Sequence, residues 1–357
     1  MNIFVFGTRG FPYIQGGVEK HCESLYPLLP SQCQIIVFRR KPYVKELDVH
    51  YENIRFIDLP STKIKGLEAL IHSFLSTFYL LFKKTDIVHI HNIGPAFFSP
   101  LLKLRRRKII LTYHSPNYEH KKWNFIGKTL LRISEKIALS TSDTIIFVSN
   151  KQINKYNKKI KEKSVFIPNG INPPQISSDT RFLNSWNLIP QKYILAVGRI
   201  TQEKGFDYLI GAFQKAQLSA EYKLVIAGGA DAEQSYFNSL KKMTSQNVIF
   251  TDYIFGEALT QLYSHAALFV LPSFNEGFPI VLLEAMSYRL PIAASDIEAD
   301  KEIELPDDSY FPVGNEEALA EKIREKITAP HRNIEYDLSR LNWKNIAEQT
   351  TKVYEKK

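Results

Sequence analysis

The residues best suited to chemistry stand in the second half of the chain, in the run Phe274-Asn275-Glu276-Gly277-Phe278-Pro279-Ile280-Val281-Leu282-Leu283-Glu284. Pro279 suits the first turn of a helix. Gly277 and Phe278 would then present backbone N–H groups at a helix N-terminus, where partial positive charge favours an anion. Glu284 would lie about 7–8 Å along that helix at ~1.5 Å per residue. A helical turn and an anion site thus separate the two carboxylates, which argues against a pair flanking one glycosidic bond in a hydrolase. The spacing suits an elongated ligand, with hydroxyls at one end, phosphate in the middle and ribose at the other.

Two cations precede this run. Arg199 ends Ala196-Val197-Gly198-Arg199, and Lys204 follows in Gln202-Glu203-Lys204-Gly205-Phe206. A planar guanidinium fork and an ammonium point charge are a usual pairing on a diphosphate. The chain has no Asp-x-Asp triplet to hold a divalent metal there. Protein cations and helix amides are therefore expected to neutralise the phosphates, with no metal site and no essential metal. Tyr253, in Asp252-Tyr253-Ile254, is a candidate to touch a nucleotide base, and no spacing rule names that base.

The first half offers Gly7-Thr8-Arg9-Gly10-Phe11-Pro12, then Gln15-Gly16-Gly17-Val18-Glu19. Gly16 and Gly17 would let the backbone approach an anion at the start of a helix. The run is not G-x-G-x-x-G, and Arg39-Arg40-Lys41 stands where an acidic ribose ligand is expected, so a nicotinamide dehydrogenase is discounted. His89 and His91 lie two apart on a strand and share a face. No third ligand is near them in sequence, which favours a packed or hydrogen-bonded role over a metal pair. His114 ends another apolar run, and its chemistry alone leaves a packed and a functional role open.

Short β-branched runs must position these groups. They fall at 3–6, 34–38, 54–59, 86–91, 108–114, 143–149 and 164–168, then at 193–198, 223–228, 247–252, 267–272 and 291–296. Most are continuously apolar, the mark of parallel strands covered on both faces, and helical segments alternate with them. The pattern predicts α/β architecture, two doubly wound Rossmann-like domains with a cleft between them. Ligands in such sheets bind beyond the carboxyl ends of strands. The turn-rich stretch 169–192 reads as the linker. The domains are set at 1–172 and 173–340, and a helix at about 341–357 is expected to pack back on the first.

The length of 357 residues fits two domains, and 44% hydrophobic with 23% charged residues is ordinary for a globular chain. Cys22 and Cys33 cannot make a disulfide framework, so a cytosolic setting is expected. Residues 67–82 carry Glu68 and His72 and fall short of the ~20 apolar residues that a bilayer span needs. They predict a buried or interfacial amphipathic helix. The net charge of +9 divides into +15 over residues 1–175 and −6 over the rest. Basic clusters at 39–41, 105–108 and 151–163 suggest an anionic partner, with a membrane surface preferred to nucleic acid because no nucleic-acid motif is present.

The order G-G-V-E, V-G-R-x-x-x-E-K-G, A-G-G and P-S-x-x-E-G-F-P-x-x-x-x-E-A-M resembles the retaining glycosyltransferases of family four, which have the GT-B fold. The opening GTRGFPYIQGGVEKH and the stretch TYHSPNYEHKKW are similar to a bacterial branch, including rhamnosyltransferase-like members, that builds surface polysaccharides such as O-antigen or capsule. The resemblance implies Glu276 on donor-sugar hydroxyls, Glu284 on the ribose, and Arg199 and Lys204 on the diphosphate with the Gly277 and Phe278 amides. It implies Gly16 and Gly17 near the donor phosphates or acceptor, and His114 near the sugar. Asn117 stands where the branch usually has an acid.

The expectation is a retaining, hexosyltransferase-class enzyme that moves a sugar from a nucleotide-diphosphate donor to a saccharide hydroxyl, often on a lipid-linked acceptor. It would be cytoplasmic and peripheral on the inner face of the membrane. The alternatives are a nucleotide-sugar epimerase or phosphorylase of the same fold, and a non-catalytic polyanion or nucleotide-sugar-binding protein.

Overall fold

The computed structural model describes all residues except 45–48, 65, 120–122, 231–232, 245, 330–333 and 357. The chain divides into two units, Met1–Gly170 with the chain from Leu341 on, and Ile171–Arg340. Part of TYHSPNYEHKKW, residues 120–122, lies outside the described residues.

In the first unit, strands Asn2–Phe6, Gln34–Arg40, Ile54–Leu59, Ile87–His91, Lys108–Tyr113, Thr144–Phe147 and Ser164–Phe166 (β1–β7) form one sheet. Its order is β3-β2-β1-β4-β5-β6-β7, and every pairing is parallel. The second unit pairs Tyr193–Val197, Lys223–Ala227, Val248–Phe250, Leu268–Leu271, Ile292–Ser295 and Tyr310–Phe311 (β8–β13). The order is β10-β9-β8-β11-β12-β13, again parallel throughout. Each order reverses direction once, between β1 and β4 and between β8 and β11. Those reversals are the crevices where doubly wound sheets bind ligands.

The continuous apolar runs are buried because helices cover both faces of each sheet. Phe6, Val88, Ile90 and Leu111 are fully enclosed in one core, as are Ile194, Ala196, Leu224 and Val270 in the other. Burying one such large aliphatic or aromatic side chain is worth roughly 1.5–3 kcal/mol. Each run read from the sequence is a strand. The addition is Tyr310–Phe311, a two-residue strand too short to carry a periodic signal.

Helix starts are set by short polar residues. Asn124 accepts from the Gly127 amide ahead of the helix Phe125–Thr141, and Asn342 from the Asn345 amide ahead of Trp343–Glu355. That last helix packs on the first unit: the Tyr354 hydroxyl is 2.7 Å from His89 Nδ1, and Lys108 Nζ donates to the Tyr354 carbonyl at 3.0 Å. The apolar stretch near 67–82 is the helix Leu67–Leu81, and among the described residues no helix is long and apolar enough to cross a membrane.

Candidate functional site

In the second unit the loops after β8 and β11, neighbours across the reversal, are tied together. The Phe274 amide donates to the Glu203 carbonyl at 2.8 Å. Gly205 sits against the Pro272 carbonyl at φ +63°, where an added Cβ would lie 2.3 Å from that oxygen. This closure brings Lys204 to Glu276, with Nζ to Oε1 at 2.6 Å. Ser273 Oγ donates to the same oxygen at 2.6 Å. The ammonium has three donors, so an anion beside it would share Lys204 with Glu276. Arg199, at the end of the same β8 loop, is half-buried, and its guanidinium has no hydrogen bond or ion pair among the described residues.

Behind this pair lies Asp300, on the short helix Glu298–Lys301. It is fully buried, and among the described residues neither carboxylate oxygen has a hydrogen-bond partner. Burial first, then the nearby Glu276 charge, pushes its carboxyl well above the usual range, while Lys204 opposes. A neutral acid therefore backs a charged pair.

The helix that follows Gly277 and Phe278 spans Ile280–Ser287, with Pro279 at its N-cap and no side chain capping it. Glu284 is half-buried and accepts from the Tyr263 hydroxyl at 2.9 Å on Oε2. Tyr263 is in turn stacked against Tyr288, with centroids 5.2 Å apart. One oxygen of the carboxylate is thus oriented by a stacked aromatic pair. Tyr253 follows β10, two strands from β8 in the sheet order, and its ring lies 5.8 Å from that of Phe255. Lys204 and Glu276 are in direct contact, whereas Tyr253 belongs to a more distant strand end.

At the reversal of the first sheet the polar centre is made of histidines. His91 ends β4 beside Gly7, whose missing Cβ would lie 2.0 Å from the His91 carbonyl oxygen at φ +103°. His114 directly follows β5, and its Nε2 is 3.0 Å from His91 Nδ1. His91 Nε2 meets the Tyr26 hydroxyl at 2.6 Å, and that hydroxyl is 3.0 Å from His89 Nδ1. His89 Nε2 ends the chain on Thr112 Oγ1 at 2.7 Å. His21 joins from the helix Gly17–Leu25, bonded to Asn169 at 2.8 Å and packed edge-on against Trp343.

Ring nitrogens of His21, His91 and His114 lie within 4.8 Å of one another, a group close enough to hold a metal ion. Both nitrogens of His91 are already engaged, however, so the cluster as it stands is a hydrogen-bonded one. Burial holds every member neutral: His21 is lowered to about 4 and His89 to about 3, and His91 and His114 fall well below the usual range. A neutral imidazole pairs one N–H with one lone pair, so the choice of tautomer at one ring constrains the next.

Gly16 and Gly17 open the helix that carries His21. Glu19, in its first turn, reaches back to accept from Thr8 Oγ1 at 3.0 Å and the Arg9 amide at 2.9 Å. No side chain caps this helix, and nothing lies within 4 Å of where a Gly17 Cβ would stand. Asn117 accepts from Ser115 Oγ at 2.8 Å.

The basic run 39–41 corrects an expectation. Arg39 is bidentate on Asp58 at 2.7 and 2.9 Å, and buried Arg40 pairs with Glu68 at 3.2 Å, so these two cations hold the fold and face no external anion. Sequence reasoning missed Ser273, Asp300, Tyr263 and Tyr26. Ser273 stands in the P-S-x-x-E pattern and could have been found there. The others carry no local signal, because only the fold brings them to Glu276, Glu284 and His91.

Residues 15–175 match the Glycosyltransferase Family 4 domain and residues 183–349 match Glycosyl transferases group 1. An uncharacterized glycosyltransferase of Methanocaldococcus jannaschii is 26% identical, covering 96% of this chain and 95% of its own. The O-antigen chain mannosyltransferase B of Escherichia coli is 26% identical over 59% of this chain and 58% of its own. The structure of Anabaena HepE in complex with UDP and glucose superposes with a TM-score of 0.79 at 17% identity, covering 99% of both chains. The fold is therefore GT-B, and the chain carries the paired domains of a glycosyltransferase, family 4 in its first half and group 1 in its second.

Proposed function

We propose that the protein is a retaining glycosyltransferase that takes its sugar from a nucleotide diphosphate and passes it to a hydroxyl of a saccharide in bacterial surface-polysaccharide synthesis. The observation that carries this reading is the loop closure that places Lys204 on Glu276 with the half-buried guanidinium of Arg199, unpaired among the described residues, on the same β8 loop. In this reading Arg199 and Lys204 neutralise the leaving diphosphate, with the Gly277 and Phe278 amides, and no metal is required. Glu276 takes the donor sugar's hydroxyls, Glu284 the ribose, and Tyr253 the base. Gly16 and Gly17 open a helix that no described side chain caps, and His114 presents a neutral imidazole to the sugar.

Front-face substitution fits the residues. The C–O bond to the diphosphate breaks, the acceptor oxygen bonds the same face of the sugar carbon, and its proton passes to the departing phosphate. Catalysis then rests on positioning and on charge stabilisation at the leaving group. The relatives in polysaccharide synthesis support the product class. A lipid-linked acceptor, met on the inner face of the membrane, suits the basic first unit.

The test is donor turnover by wild type and by Arg199→Ala and Lys204→Ala, with the anomeric configuration of the product read by NMR. The expected result is a retained anomer and severe loss of turnover in both variants. Wild-type turnover by both variants, or an inverted anomer, would overturn the assignment. Conversion of the donor with no acceptor would instead favour an epimerase.

A further inference from the structure

The first unit carries a surface unrelated to its histidines. On the helix Leu67–Leu81, Leu67, Leu70, Phe74 and Phe78 are exposed, and Phe82 is exposed just past its end. Spacings of three and four put them on one stripe. The rings of Phe74 and Phe78 stack at 6.2 Å, and those of Phe78 and Phe82 meet at 5.3 Å. The buried side of this helix is His72, Ser73, Ser76, Thr77 and Leu80. Small and polar residues face inward and aromatics outward, the reverse of a helix on a water-facing domain.

Neighbouring helices extend the patch. Ser99–Leu104 packs between this helix and the helix Phe125–Thr141, touching both, and the Phe74 ring contacts Phe98 at 5.4 Å. Leu104, Phe125 and Ile126 are 81%, 82% and 76% exposed, and Leu130 and Ile133 continue the line.

Charge selects the partner. Across residues 63–84, 99–107 and 123–141 the acids are Glu68 and Glu135. Both turn inward. Glu68 accepts from the Tyr43 hydroxyl and pairs with Arg40, and Glu135 accepts from the Tyr113 and Tyr156 hydroxyls. Lys63, Lys83, Lys84, Arg105, Arg106 and Arg132 stay exposed. An apolar aromatic face whose three helices carry exposed cations and, among the described residues, no exposed acid is the chemistry of an anionic bilayer interface. A second copy of the chain would bring the same cations against these.

We propose that this three-helix face lies in the interface of an anionic phospholipid bilayer, its aromatic stripe among the upper acyl chains and its cations on the headgroups. The proposal deepens the membrane-surface reading above by naming the face, and it stands whether or not the chain transfers a sugar.

The test is co-sedimentation of the full chain with phosphatidylcholine vesicles, with and without phosphatidylglycerol, read separately from donor turnover. Wild type should partition onto the phosphatidylglycerol vesicles and come off at high salt. Phe74→Glu/Phe78→Glu should weaken partition about tenfold or more. Lys83→Glu/Lys84→Glu should weaken it about tenfold or more on anionic vesicles alone. If the first variant melts early, Phe125→Glu/Ile126→Glu at the exposed helix start replaces it. Wild-type partition by these variants, or binding indifferent to lipid charge and salt, would overturn the proposal. So would a dimer in light scattering that Phe74→Glu dissolves, with no vesicle binding.

Discussion

The two units use one architecture and fill its crevice with opposite electrostatics. At the β1/β4 reversal, four buried histidines are kept neutral and bonded to one another or to tyrosine and asparagine. At the β8/β11 reversal the groups are ionic: Lys204 on Glu276 and Arg199 unpaired among the described residues, with buried Asp300, its carboxyl pushed well up, behind them. A charged ligand is better held by the second arrangement, where two half-buried cations stand on one loop. The first offers neutral hydrogen-bonding groups suited to sugar hydroxyls. Strand order makes the crevice, and the residues at the strand ends decide what it can hold.

The largest expected effect breaks the comparison with acid. For the histidines, burial puts the folded values near 3–4 or lower against an ordinary value of 6.5. Below pH 6.5 the unfolded chain binds more protons than the folded one, so stability falls as pH falls, by up to about 1.4 kcal/mol per pH unit for each histidine. Asp300 has the opposite sign. Its folded value is raised above 3.8, so its contribution is lost as pH rises through that range. Hydrogen exchange resolved by segment should therefore show the first unit opening between pH 6.5 and 4 before the second. Asp300→Asn should flatten the second unit's dependence. Equal acid loss in both units would break the contrast.

Next in size, Arg199→Ala and Lys204→Ala should each lower turnover by about 10²–10³, or roughly 2.7–4 kcal/mol, with melting by circular dichroism little changed. A loss confined to KM would make these residues ground-state binders only. Smaller again, Glu284→Ala should weaken nucleotide binding about tenfold, a loss of ~1.4 kcal/mol. Tyr263→Phe should weaken it only a few-fold, because it removes one hydrogen bond of roughly 0.5–1.5 kcal/mol that orients Glu284. If Tyr263→Phe matched Glu284→Ala, the hydroxyl would itself be a binding group.

The sequence carried most of the fold, because buried parallel strands write themselves as apolar runs. Tyr310–Phe311 escaped, since two residues hold no period. Glu276, Glu284, Arg199 and Lys204 could be singled out as candidates from spacing and strand-end position. The meeting of Lys204 with Glu276 was not, since it depends on two loops 72 residues apart closing on each other. His21 could not be joined to His91 and His114, because only the sheet order brings helix Gly17–Leu25 to those strand ends. The outward aromatic stripe was hidden as well. The sequence shows an amphipathic helix, but which face is buried is decided by its neighbours.

The most direct test is calorimetric titration of UDP, GDP, ADP and dTDP into wild type, Glu284→Ala and Arg199→Ala. The account predicts that one nucleotide binds wild type well and both variants about tenfold more weakly. Binding of none of them, or variants that bind as wild type does, would contradict a nucleotide-diphosphate site built on Arg199 and Glu284.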